Sequence, residues 1–179
     1  GLRGKPVVNA SGMFVWLKEE MDLLREIRID PGTLPYETIT IRKDKLKIPP
    51  ASPPLTTIEL PLRTDYAFSV GTTGIRGTLV EERINQPTPI PHAEVSLEWL
   101  DDDGTTWHDA LRHSPTNDKG GFVSVLRLAP ADMPSLDKDG AISVRLRARR
   151  EGDGERRSAE VQIPLGRVSD PSTIKQLYF

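Results

Sequence analysis

Cysteine is absent from the 179 residues, which excludes disulfides and thiolate metal sites and leaves packing and hydrogen bonds to hold the fold. The compartment stays open, because a domain with a real core needs no cross-link. Aromatic residues make up only 6% of the chain, so any stacking platform must come from Trp16, Trp99 or Trp107. Neither charge sign dominates: 24 basic and 26 acidic residues are interspersed, and the formal net charge is -2. A chain without a field of one sign has little to hold nucleic acid or an anionic membrane, and neither is expected as a partner. No apolar run approaches the roughly 20 residues of a membrane span. The segment Met13-Phe14-Val15-Trp16-Leu17 is short and is followed by Lys18, Glu19 and Glu20. No secretory leader pattern opens the sequence, and since Gly1 is not an initiator methionine a processed precursor would read the same.

Reactive side chains are sparse as well. The histidines are His92, His108 and His113, and no G-x-S-x-G elbow, phosphate-binding glycine loop or H-E-x-x-H motif accompanies them. His108 and His113 stand near Asp109 and Asp101-Asp102-Asp103, a His/Asp cluster by composition. On a strand, however, that spacing sends the two imidazoles to opposite faces, whereas in a loop between Trp99 and Phe122 they could converge. The run Asp101-Asp102-Asp103-Gly104 lacks the spaced ligands and closing glutamate of a calcium loop and reads as an acidic turn. No catalytic residue, metal or cofactor is expected, and the chain is not read as an enzyme. Trp99 falls on the apolar phase of its strand. Trp107, beside His108 in a polar loop, is the candidate for an exposed aromatic contact and a ligand loop.

What is present is alternation broken by turns. Sixteen prolines, 14 glycines and a hydrophobic fraction of 36% describe many turns and extended segments, and a chain that leans on partners for part of its order. Leu17, Met21, Leu24 and Ile27 recur at helical spacing, so a strand at Phe14 followed by about two helical turns within Lys18–Arg28 is expected. Asp30-Pro31-Gly32 ends that segment in a tight turn, and residues 36–42 alternate as a strand. Lys43 to Pro54 carries Pro49, Pro50, Pro53 and Pro54 and reads as an extended linker. Beyond it, strands are expected at Ile58–Leu62, with Pro61 marking an edge, at Tyr66–Val70 and at Ala93–Trp99. The strongest hairpin joins Ile142–Ala148 to Ala159–Ile163, and its wet face sets Arg145, Arg147 and Arg149 across from Glu160 as cross-strand pairs.

Three motifs follow one another in this strand region: Gly74-Ile75-Arg76-Gly77-Thr78-Leu79-Val80, Pro91-His92-Ala93-Glu94-Val95-Ser96-Leu97, and Thr116-Asn117-Asp118-Lys119-Gly120-Gly121-Phe122. Gly77 suits a close approach of strands, and Asn117 suits a side-chain-capped turn ahead of a buried Phe122. Together they resemble the signature of the carboxypeptidase regulatory-like domain, a transthyretin-like β-sandwich that is mostly a structural and binding module. The resemblance covers about half the chain. Gly140-Ala141-Ile142-Ser143-Val144 stands where that family has a later strand, with alanine and isoleucine in place of its aromatic. The hydrolases of the transthyretin-like class carry a Tyr-Arg-Gly-Ser motif, which the ending Gln176-Leu177-Tyr178-Phe179 lacks.

The expected architecture is therefore all-β, an about seven-stranded transthyretin-like or immunoglobulin-like sandwich over 55–165, after an N-terminal arm and proline linker over 1–54 and before a docking tail over 166–179. The expected function is a non-enzymatic structural or assembly protein, a spacer or docking module of the sort used in virus, phage-tail and contractile-injection particles. Its partners would be other protein subunits in a homo- or hetero-oligomer. They would be reached through Phe14, Trp16 and Leu17 in the arm and Leu177, Tyr178 and Phe179 in the tail. The alternative is a peptide- or glycan-binding module using the loop at Trp107 and His108.

Overall fold

Alternating side chains make a strand only where another element covers the apolar face. In the computed structural model, the described residues are 7–8, 14–15, 24–46, 58–81, 87–152, 154–169 and 177–178. They are all-β, with no α-helix among them. Contacts divide the chain into two units, Gly1–Gly32 with Thr38–Ile58, and Thr33–Glu37 with Glu59–Phe179.

In the first unit, β1 (Val7–Val8) pairs antiparallel with β2 (Phe14–Val15), and β3 (Glu26–Ile29) pairs with β4 (Ile39–Arg42). The helix expected through Arg28 gives way to strand over Glu26–Ile29. Ile27 and Ile29 lie opposite Ile41 and Ile39, and this half-buried cross-strand match outweighs the helical spacing. Residues 16–23, where the rest of that helix would fall, lie outside the described residues. The Asp30-Pro31-Gly32 turn forms as expected, with Gly32 at φ 62 and its N–H donated to Asp30 Oδ1 at 3.0 Å. Lys43–Lys45 makes one 3-10 turn at the start of the expected linker.

The second unit holds β5 (Thr73–Glu81), β6 (Thr88–Pro89), β7 (Glu94–Leu100), β8 (Trp107–Pro115), β9 (Gly121–Leu126), β10 (Ala141–Arg150), β11 (Gly154–Arg157), β12 (Val161–Pro164), β13 (Val168–Ser169) and β14 (Leu177–Tyr178). They form two five-stranded sheets; eight of these strands, β5 to β12, fall within 55–165, where about seven are expected. One runs β8-β7-β10, with β11 and β12 sharing the far edge of β10. The other gathers β6, β9, β13 and β14 around β5. Ile75, Leu79, Phe122 and Leu126 of the second sheet meet Val95, Leu97, Trp99, Val144 and Leu146 of the first in one buried cluster, a sandwich-like core. Phe122 is 1% exposed, as its place after the glycine pair predicts.

The connection between the sheets is set by short polar side chains. Thr116 is fully buried; its hydroxyl donates to the Ile90 carbonyl at 2.7 Å and accepts from the Ala93 N–H at 2.9 Å. Asn117 caps the turn that follows, accepting from the N–H groups of Lys119 and Gly121 at 3.0 and 2.8 Å. Gly120 is obligatory there: its φ is 72, and a Cβ would stand 2.6 Å from the Leu79 carbonyl oxygen. Strands also approach closely at Gly74, where a Cβ would meet the Ser124 carbonyl oxygen at 2.6 Å, and Gly77 lies opposite Phe122 of β9.

Three expectations about strands need correction. Residues 58–60 form no strand, and Leu62 makes a single bridge with Tyr36; Pro61, which has no N–H, contributes its carbonyl to the Glu37 N–H. Residues 66–70 form no strand either. Arg76 takes the carbonyls of Thr64 and Tyr66 for its guanidinium, Tyr66 packs edge-on to Phe68, and Val70 is 96% exposed. Finally, the strand returning along β10 is interrupted at Ser158, whose hydroxyl accepts the Leu146 N–H at 2.9 Å, so the return is split into β11 and β12.

Candidate functional site

The outer face of the β8-β7-β10 sheet collects most of the charge that the sequence left unassigned. Alternation puts Glu94, Ser96 and Glu98 of β7 on the same face as Arg145 and Arg147 of β10, and the register sets Arg145 opposite Glu98. The Glu98 side chain is only 4% exposed, and Arg145, Arg147 and Arg157 converge on it. Arg145 donates from Nε, and Arg157 Nε lies 3.1 Å away. Arg147 reaches Asp109 at 2.8 Å and donates to Ser96 Oγ at 3.2 Å, while Arg157 also pairs with Glu155 at 2.7 Å. The arginine row expected to face Glu160 thus faces Glu98. Glu98, Asp109 and Glu155 balance the guanidiniums, so this face is a self-neutralised network and not a basic patch. Its hydrogen bond to Glu98 holds the Arg157 guanidinium above its ordinary pKa. Glu98 itself went unrecognised in the sequence; its alternation with Ser96 marked a second face of β7 but not the strand that covers it.

Trp107 and His108, expected in a ligand loop, instead open β8 at the end of that sheet, paired with Leu100 and Trp99. The His108 ring stacks on Trp99 with centroids 4.5 Å apart, and its Nε2 stands 2.8 Å from Asp101 Oδ2. Trp107 is half-buried, with the Arg145 guanidinium 4.2 Å over its ring. One face of that indole is therefore already covered by a cation. His113 pairs separately with Glu94 at 3.0 Å and His92 with Asp118 at 3.4 Å. No group of three or more histidine and acidic side chains converges among the described residues. The Asp101–Gly104 run is a capped turn. Asp103 accepts the Thr106 hydroxyl and the N–H groups of Thr105 and Thr106, and these bonds hold its carboxyl well below the usual carboxylate range.

The remaining expected contact residues lie toward the ends of the sequence. Phe14 is in β2, its backbone paired with Val8, and Trp16, Leu17 and Phe179 lie outside the described residues. Leu177 and Tyr178 are β14, laid parallel on β5 against Leu79 and Val80. β13 also lies parallel on β5, with Val168 opposite Gly74 and Ser169 opposite Ile75. Among the described residues no helix is long and apolar enough to cross a membrane.

No protein-family model, curated protein or solved structure matches this chain.

Proposed function

We propose that this chain is a non-enzymatic structural module of a larger protein assembly, a sandwich of the carboxypeptidase regulatory-like kind whose β14 segment docks on a sheet edge and exchanges between copies. The observation that carries this reading is the way β14 is held. Ser169 faces Ile75 and Leu177 faces Leu79, so eight steps of chain connect positions only four steps apart on β5. Four steps of strand span about 13 Å, whereas eight steps of chain reach about 27 Å. The connection therefore carries about 14 Å of slack over the pairing it spans, which an exchange between copies would draw on.

The pairing itself is small. Two facing residues add about two backbone hydrogen bonds, each worth about 0.5–1.5 kcal/mol net. The chain's own connection raises the local concentration of β14 to the millimolar range, which favours pairing within one chain in dilute solution. In an ordered assembly a neighbour offers the same strand at comparable concentration, and exchange then costs little. The self-neutralised charge around Glu98 and the cation-covered Trp107 favour this reading over the alternative of a ligand loop at Trp107 and His108.

Light scattering across a concentration series tests the reading. The full chain should self-associate as concentration rises, and a chain ended after Ser169 should stay folded and monomeric. A full chain that remains monomeric throughout, or a shortened chain that associates equally, would contradict it.

A further inference from the structure

Two other strand edges of the sandwich are open among the described residues. β8 pairs only with β7, and β9 only with β5, among the described residues. Each therefore has an outer edge whose alternate N–H and C=O groups have no strand to meet. The two edges border one groove of about 480 Å³, open to solvent. Its apolar lining includes the bridged pair Tyr36 and Leu62, Phe68 of the segment before β5, Leu111 and Pro115 of β8, and Val125 of β9.

The edge of β8 is not a plain strand. Ser96 faces His113 and Glu98 faces Asp109, so Ala110, Leu111 and Arg112 all stand against Leu97 in a bulge. A bulge of this kind re-aims side chains, and here it leaves Leu111 81% exposed, with exposed Arg112 beside it. Arg112 of β8 and Arg127, just past β9, both line the groove, and neither pairs with an acid among the described residues. Glu59 is the one carboxylate in the lining, and His113 is already engaged by Glu94. An apolar trough between free strand edges, rimmed by two unneutralised guanidiniums, matches an extended chain that alternates apolar with acidic side chains.

We propose that the groove between β8 and β9 binds an extended acidic–apolar peptide segment of a partner protein by strand addition. Its main chain completes a sheet edge, its apolar side chains cover Leu111 and Pro115, and its carboxylates meet Arg112 and Arg127. The site is separate from the β5 edge that carries β14, so the two readings stand or fall independently.

The test titrates the full chain with a capped peptide of about seven residues alternating glutamate with valine and leucine, and with its lysine counterpart, while backbone amide shifts are followed. The glutamate peptide should move amides of β8 and β9, and the lysine peptide should not. Leu111→Asp should weaken the glutamate peptide about tenfold without lowering the unfolding midpoint, since the side chain is exposed. Arg112→Glu combined with Arg127→Glu should turn the preference toward the lysine peptide, a gain that misfolding cannot produce. No shifts up to about 1 mM peptide, equal binding of both peptides, or shifts confined to the Leu79–Val80 edge would overturn the proposal.

Discussion

Phe122 ties the turn chemistry to the core. Asn117 and Gly120 close the turn, Gly121 opens β9, and the ring enters the shared cluster at 1% exposure. Truncation leaves a cavity that close-packed neighbours fill only in part, so Phe122→Ala should cost about 3–5 kcal/mol in denaturant unfolding. A loss below about 1 kcal/mol would mean that the β9 register is wrong. Asp103 makes a different residue-scale prediction. Its folded pKa lies below the ordinary 3.8, chiefly through the Thr106 hydroxyl. The stability it contributes is thus present above the unfolded pKa and lost as pH falls through the folded one. Carboxyl carbon NMR should show Asp103 titrating below the ordinary aspartate value, and Thr106→Val should move it upward. An unchanged titration in that variant would remove the hydroxyl as the cause.

Among the elements, β7 and β10 show how alternation can bury both faces of a strand. Val95, Leu97 and Trp99 enter the core, while Ser96 and Glu98 are sealed on the other side by arginine side chains. Removing the Glu98 charge strands three guanidiniums around a buried amide. Because Arg145 and Arg157 keep 26% and 43% exposure, the full penalty of an uncompensated buried charge is discounted by solvent. Glu98→Gln should therefore destabilise on the order of 2 kcal/mol in thermal or denaturant unfolding, with added salt narrowing the gap. No measurable change would show the network to be ornament. These strands were legible in the sequence because Val95-Ser96-Leu97 and Ile142–Ala148 each repeat every second residue. The Asn117 turn was legible because its side chain bonds its own backbone. Leu60, Tyr66 and Phe68 were misread, since their alternation is present without a strand to pair with: Tyr66 and Phe68 are half-buried and Ala67 and Ser69 exposed, yet the carbonyls of Thr64 and Tyr66 go to Arg76. The partnership of Glu98 with the arginines was hidden because β7 and β10 are neighbours in space only, and the β8 bulge leaves no local mark.

For the whole molecule, the sequence announced the all-β class and the sandwich-like core, but the use of the sheet edges emerged only with the strand order. β5 organises its sheet, taking β9 and β6 antiparallel and β13 and β14 parallel. β14 occupies the β5 edge, and the proposed exchange would pass it between copies. The absence of cysteine allows a direct test, because Val80→Cys with Tyr178→Cys would be the only thiols in the chain. These positions face each other in the parallel pairing, within the reach of a disulfide. Oxidation should close the bond within one chain in dilute solution and increasingly between chains as concentration rises, read as monomer and cross-linked dimer on a denaturing gel. Failure to cross-link at any concentration would contradict the docking of β14, and a bond that stays within one chain at every concentration would contradict its exchange.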